Sequence, residues 1–335
     1  MKLRSAGDSA QGRSGLASQG ALPAPEPGGD IVGLLEQGRR QFLALVDHVR
    51  PELHRYCTRM TGSVADGEDV VQDTLARACY ELSQMTELPP LRPWLFRIAH
   101  NRAIDQWRRE TYRAAEDIEA ARDLPADAAD EPENRLARDQ AVQAALVHFL
   151  ALAPAQRGCV ILKDVLDHTL VEIAEELSLS EQSVKAALHR GRAALQQLAA
   201  ATTTATAAAP PRRVSPELGR YAALFGARDW DGIRALLADD VRLDLVSRRK
   251  AAGRREVATY YGNYDRTAGW RVAPAWVDGR GVLAVYDAPD AAQPAYFIAL
   301  TWRSGRLAAI RDYRYVPYIG QDHAIELQPQ EADRP

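Results

Sequence analysis

From Ile31 to Arg109 apolar residues recur at spacings of three and four, as in Phe42, Leu45, Val46, Val49, Leu53 and Tyr56. That rhythm predicts helices with one buried face. Thr61 to Gly67 predicts a turn, and Thr86 to Pro90 a loop closed by two prolines. The helical pattern returns from Ala141 to Ala200, where Pro154 ends one helix and a second begins after it. Beyond Pro216 the grammar changes. Two helical pieces, Glu217–Phe225 and Trp230–Leu237, precede a strand at Val241–Ser247 and a helix at Gly253–Tyr264. Strands follow near Trp270–Val277, Gly281–Tyr286, Ala295–Arg303 and Leu307–Tyr315, with Asp278-Gly279 and Ser304-Gly305 as hairpin turns between alternating runs. Helices followed by consecutive antiparallel strands predict an α+β module.

Length and composition narrow the class. A chain of 335 residues, 46% hydrophobic and 26% charged, is long enough for two or three globular domains. No run approaches the length of apolar sequence that a membrane helix needs, and Ser5–Gly20 offers no apolar core for a secretory signal. The expectation is a cytoplasmic protein. Cys57, Cys79 and Cys159 have neither CxxC nor Cys/His ligand spacing, which argues against a disulfide scaffold and a metal site and suits thiols in a reducing compartment. A net charge of −3 excludes bulk polycation behaviour, so any nucleic-acid contact must come from local patches.

Three stretches read as tethers. Residues 1–30 are poor in large apolar side chains and are expected to be disordered. Residues 111–139 form an acidic linker, with nine acids against four arginines between Arg113 and Asp139, and 201–215 form a low-complexity one. The expected boundaries are therefore a helical module at 31–110, a second at 140–200, an α+β module at 216–320 and a tail at 321–335.

The first helical module is polarised. Asp66, Glu68, Asp69 and Asp73 occupy eight residues without a base, whereas Arg92, Arg97, Arg102, Arg108 and Arg109 occupy eighteen with one acid, Asp105. Two solvated helix faces of opposite bias would account for either run alone. Pro93 suits a first helical turn, and Arg97, Asn101, Asp105 and Arg108 share one face of the helix that follows. Arginine suits phosphate contacts and asparagine a base edge.

On these residues a resemblance becomes specific. SVADGEDVVQDTLARAC followed by LRPWLFRIAHNRAIDQWRRE resembles region 2 of a bacterial extracytoplasmic-function (ECF) sigma factor of the sigma-70 family. The resemblance implies that Asp66, Glu68, Asp69, Gln72 and Asp73 contact the clamp of RNA polymerase. It implies that Asn101, with Arg77 nearby, helps hold a flipped base of the −10 element, while Arg97, Arg102, Arg108 and Arg109 hold phosphates. The preceding loop, TELPPL, departs from the family in carrying no aromatic residue.

In the second module LVEIAEEL, SLS and EQSVKAALHRGRAAL form a helix–turn–helix pattern, with Ile173, Ala174, Leu177, Leu179, Val184, Leu188 and Leu195 as core positions and Ser180 as N-cap. A pair of short helices in an ordinary all-α core is the plainer alternative. Gln182, Ser183, Lys185, Ala186, His189 and Arg190 fall on the outward side of the second helix, which in such motifs enters the major groove. LAPAQRGCVILKDVLDHTLVEIAEELSLSEQSVKAALHRGRAAL resembles region 4 of the same family, which reads the −35 element. Ser178 stands where such turns often carry glycine. The resemblance also implies that the acidic linker threads a polymerase channel, although an ordinary solvated tether explains it equally.

RDWDGIRALLADDVRLDL, GRREVATYY and AYFIALTWRSGRLAAIRDYRYV resemble the SnoaL-like branch of the NTF2 fold, a curved sheet wrapped with helices into a cone. Some relatives are enzymes with a pocket carboxylate and histidine. Here no histidine lies between His189 and His323, and Asp244 and Asp312 have no evident partner. The aromatics Tyr260, Tyr261, Trp270, Trp276, Tyr296, Phe297, Trp302 and Tyr313 read as core before they read as a ligand box.

The expected fold is multidomain, with two all-α modules, a sigma region 2 bundle and a region 4 helix–turn–helix, plus a C-terminal α+β SnoaL/NTF2-like cone. The expected function is that of an ECF sigma factor, without catalytic residues, metal or cofactor. It would bind core RNA polymerase and promoter DNA and be modulated in cis by its C-terminal module. An anti-sigma factor or a small ligand in the C-terminal pocket would be further partners. The alternatives are a one-component helix–turn–helix regulator with a ligand-sensing SnoaL-like domain, and a SnoaL-like enzyme fused to a regulator.

Overall fold

The structure, a computed structural model, describes residues 31–120, 148–202, 213–320 and 326–327. The expected disordered N-terminus, most of the acidic linker, the middle of the second linker and most of the tail lie outside these residues. Contacts separate the chain up to Ala44 from a unit that begins at Leu45. Most of helix α1 (Ile31–Val46) belongs to the first, where Glu36 and Arg40 form an exposed i,i+4 pair.

Helices α2 (Arg50–Thr61), α3 (Val64–Leu82) and α4 (Leu91–Ala120) form the first bundle. Gly62 ends α2 in the left-handed region and returns its N–H to the Thr58 carbonyl, while Ser63 caps α3 by accepting from the Asp66 amide. The apolar stripe works as its spacing predicts at Phe42, Val46, Val49, Leu53 and Tyr56, joined by Val64, Val71, Ala78, Leu95 and Ala99, but Leu45 is exposed. A Cβ at Gly67 would meet the Thr58 backbone nitrogen at 2.6 Å, so only glycine lets α2 and α3 approach this closely. Helix α4 runs to Ala120, beyond the Arg109 limit of the helical pattern and into the sequence expected to be linker.

The second bundle holds α5 (Pro154–Val160), which passes into a wide helical turn at Ile161–Val165, then α6 (Leu170–Leu177) and α7 (Glu181–Thr202). Thr169 and Glu172 form a capping box on α6. Ser178 makes the turn at φ 55°, the left-handed conformation that the helix–turn–helix spacing demands, and Ser180 caps α7 through the Ser183 amide.

Two polar devices fasten this bundle to the first. The Arg157 side chain is buried and donates to the carbonyls of Met60, Leu150 and Leu152 at 2.6, 2.7 and 3.0 Å. His168 is buried with Nδ1 2.8 Å from Glu176 and Nε2 2.9 Å from Glu52, and Arg92 joins Glu52 and Glu172. Burial pushes the His168 pKa down and Arg92, 2.7 Å from Nε2, opposes its charge, yet the bonds to Glu176 and Glu52 prevail and raise it to about 9.

In the C-terminal module α8 (Pro216–Gly226) and α9 (Trp230–Leu236) lead into a seven-stranded sheet of order β2-β1-β6-β5-β4-β3-β7. The strands are β1 (Leu237–Leu245), β2 (Arg249–Ala252), β3 (Arg271–Val277), β4 (Arg280–Tyr286), β5 (Tyr296–Arg303), β6 (Arg306–Asp312) and β7 (Glu326–Leu327). A broken helical stretch, α10 (Arg254–Ala258), a single 3-10 turn at Thr259–Tyr261 and α11 (Gly262–Asp265), stands where one helix is predicted. Tyr221, Phe225, Ile233, Val257 and Tyr264 from the helices share one buried cluster with Val241, Ala275, Leu283, Phe297 and Ile310 from the sheet. The hairpins at Asp278-Gly279 and Ser304-Gly305 have both central residues at positive φ, the turn whose twist matches the flanking strands. The sheet departs from all-antiparallel pairing: β6 returns beside β1 in parallel, because the helical stretch and the meander intervene between them. Among the described residues no helix is long and apolar enough to cross a membrane.

His168 gains protons on folding, so its stabilising contribution is complete below pH 6.5, its ordinary pKa, and is lost as pH rises through about 9. Urea unfolding at pH 6, 7.5 and 9 should show this decline, and His168→Gln should flatten it.

Candidate nucleic-acid interface and acidic docking helix

The basic and polar face of α4 is open. Arg97, Asn101, Asp105, Arg108 and Arg109 are exposed and Arg102 is half-buried, while Trp94, Leu95, Ala99 and Ala103 on the opposite side are buried. Among the described residues no carboxylate lies within ion-pair distance of Arg97, Arg102, Arg108 or Arg109. Four guanidinium groups without internal partners, beside an exposed asparagine, suit a phosphate backbone with a base at its edge. Arg77 is also exposed, but its Nε holds Glu81 at 2.6 Å.

The recognition side of α7 is equally open. Gln182, Ser183, Lys185, His189 and Arg190 are exposed and Ala186 is half-buried, with Val184, Ala187 and Leu188 turned inward. Of the seven expected core positions, Ile173, Leu177, Val184 and Leu188 are buried and Ala174, Leu179 and Leu195 only partly so. Glu176 is buried instead, a position that the apolar pattern misses because it serves His168.

The acidic helix is different. Of its five singled-out residues only Asp73 is exposed; Asp66, Asp69 and Gln72 are half-buried and Glu68 is wholly buried. The cover is the C-terminal module. Arg311 holds Asp69 with two parallel bonds, at 2.5 and 3.1 Å. Tyr318 donates to Glu68 at 2.8 Å, Gln72 donates to the other Glu68 oxygen at 2.5 Å, and Arg50 lies 3.7 Å away. Arg50 and Gln72 both donate to Ser247, at 2.8 and 2.6 Å. Burial raises the Glu68 pKa against the lowering effect of His54, Arg50, Gln72 and Tyr318. At the start of α3, Asp278 from the β3–β4 hairpin accepts from the Ser63 hydroxyl at 2.9 Å and from the Val64 and Ala65 amides at 2.8 and 3.4 Å. A helix in one module is thus capped by a carboxylate from another. Val64 itself lies in the buried cluster of the C-terminal module.

The two carboxylates near the strands do have partners. Asp244 lies 3.5 Å from Arg311, and the buried Asp312 accepts from Tyr260 and Tyr264 at 2.8 and 2.7 Å. Burial raises the Asp312 pKa, opposed by those two hydroxyls. The partners were invisible in the sequence because tyrosines that far up the chain read as core. Among the described residues no cluster of metal-ligating side chains forms.

The sigma-70 region 2 family model matches residues 45–113, and the sigma-70 region 4 model matches 149–195. The chain is similar to the ECF RNA polymerase sigma factor SigG of Mycobacterium tuberculosis, 32% identical over 236 residues that cover 64% of this chain and 60% of SigG. It is also similar to SigL of the same organism, 32% identical over 155 residues, 46% of this chain and 85% of SigL. The chain therefore spans about three-fifths of SigG. Among solved structures, the M. tuberculosis extracytoplasmic function sigma factor SigJ aligns over 81% of this chain and 95% of its own, at 21% identity and a TM-score of 0.31.

The cap from Asp278 is worth about 1–2 kcal/mol. Asp278→Ala should lower stability by that amount and speed hydrogen exchange at the Val64 and Ala65 amides more than at mid-helix, which exchange mass spectrometry resolves.

Proposed function

The chain belongs to the ECF RNA polymerase sigma factors, and from that premise we propose that it directs promoter-specific initiation under the control of its own C-terminal module. In this reading α3 docks on core polymerase through Asp66, Glu68, Asp69, Gln72 and Asp73. Helix α4 takes the −10 element: Asn101, with Arg77 beside it, receives a flipped base, and Arg97, Arg102, Arg108 and Arg109 hold phosphates. Helix α7 reads the −35 element through Gln182, Ser183, Lys185, His189 and Arg190. Polymerase supplies the covalent chemistry and this chain none, and it works in the cytoplasm, where polymerase and the chromosome are. Taking a base out of the stack costs a few kcal/mol, which a row of unpaired arginines and a polymerase scaffold can offset together.

One observation carries the control. Of the α3 residues assigned to polymerase, Glu68, Asp69 and Gln72 are held by Arg311, Tyr318, Arg50 and Ser247, whereas Asp73 and the DNA-facing residues of α4 and α7 are open. A surface cannot serve two partners at once, so the C-terminal module competes with polymerase for α3. The module is thereby an inhibitor in cis, displaced when polymerase is bound.

Run-off transcription with core polymerase and a promoter library tests both halves. Full-length protein, a truncation ending at Ala208 and Arg311→Ala should all give transcripts from the same promoters. The truncation and Arg311→Ala should give them at several-fold lower protein concentration. Equal output from all three would remove the control, and no transcript with duplex binding retained would point to a stand-alone regulator.

A further inference from the structure

A cavity of about 670 Å³ opens at the end of the C-terminal sheet, where the end of β4 and the start of β5 face the irregular segment 313–320. That volume is in the range of small-molecule sites. Trp270, Val285 and Pro317 supply apolar walls. At its inner end the Tyr296 hydroxyl meets that of Tyr264 at 3.1 Å, and Tyr264 is fixed in turn by the buried Asp312.

Arg314 is the cation of the cavity. Its guanidinium lies over the Tyr264 ring, 5.2 Å from the centroid, and among the described residues it has no carboxylate within ion-pair distance. Asp287, the carboxylate on the lining, is exposed to water at the rim. A fork of unpaired donors on an apolar, aromatic-walled cavity matches a flat apolar body carrying one carboxylate.

This segment and the end of β6 just before it build the grip on α3 from the other side, Tyr318 from the segment and Arg311 from the strand. Arg311 holds Asp69 and Tyr318 holds Glu68, while Arg314, Pro317 and Gly320, interleaved with them, line the cavity. Residues 313–320 form turns pinned to β5 by the Tyr313 amide, and within them Pro317 on the cavity and Tyr318 on α3 are chain neighbours, so what packs against one side bears on how the other is held. We propose that the cavity is an effector site for a flat aromatic monocarboxylate, bound at Arg314, and that its occupancy keeps the segment seated on α3. This rests on the reading that the C-terminal module covers α3 to control it. An occupant orders the segment from inside, so the free protein is latched more firmly when the cavity is full. Loss of the ligand is then the activating signal.

Calorimetric titration of the full chain with naphthalene-2-carboxylate, and with the neutral naphthalene-2-carboxamide, tests the site. The acid should bind about tenfold or more tighter than the amide, and Arg314→Gln should erase that preference. Tyr296→Phe, which leaves Arg314 in place, should weaken both probes and keep the preference. Equal affinity for the two probes in the wild type, or an acid preference that survives Arg314→Gln, would overturn the site. Coupling is reciprocal, so Arg311→Ala, which lines no part of the cavity, should weaken the acid by about fivefold or more. An unchanged affinity there would overturn the coupling. A core-polymerase pull-down without probe separates the premise, since Arg311→Ala must bind polymerase better than wild type if the cover on α3 is a control at all.

Discussion

A carboxylate taken wholly out of water needs a donor at each oxygen, and Glu68 finds them on three sides. Gln72 serves one oxygen from its own helix, Tyr318 the other from the C-terminal module, and Arg50 supplies the charge from α2. The desolvation of such a group roughly cancels what its partners return, while removal of one partner costs about 3–5 kcal/mol. The contact therefore contributes little net adhesion and a great deal of discrimination. Of the three donors only Tyr318 comes from the C-terminal module, so its departure would leave Gln72 and Arg50 in place and return one Glu68 oxygen to water. Asp69 and Arg311, half-buried and bidentate, add attraction at the edge, where solvent still reaches.

The junction between the two helical bundles follows another logic. Arg157 neutralises no carboxylate there; it closes three backbone carbonyls, two of them in the stretch just before α5. His168 sits between two carboxylates from different bundles and holds both by sharing its charge. The joint also has apolar contacts, with Leu150 against Gly62 and Phe96 edge-on to His168, but its ion pairs and carbonyl bonds are ones that water can replace.

Helical phase made most of the exposed basic surface legible from the sequence. Arg97, Asn101 and Arg108 had to be outward once Trp94, Leu95 and Ala99 were inward, and the same held for Lys185 and His189 against Val184 and Leu188. The hairpin dipeptides likewise announced their own turns. What stayed hidden depends on partners remote in sequence. Four acids in eight residues read as a solvated face, and nothing nearby told that Tyr318, 250 residues on, would enclose Glu68. Asp312 seemed bare for the same reason, its tyrosines standing 52 and 48 residues earlier. Strand β2 has no apolar alternation and is set by its ladder with β1 alone, and the parallel β1–β6 pair follows from chain routing that no local pattern encodes.

The hairpin carboxylate that completes the first turn of α3 also orders events in time. Ser63 and Asp278 are 215 residues apart, and a ribosome adding about 5–20 residues per second needs roughly 10 to 40 s to cover that distance. Throughout that interval the acidic helix of a nascent chain has its own Ser63 cap but neither the Asp278 carboxylate nor its cover. Under the proposed control, a newly made molecule would be open to its partner before it could refuse it, and the balance would be set by how soon the partner arrives.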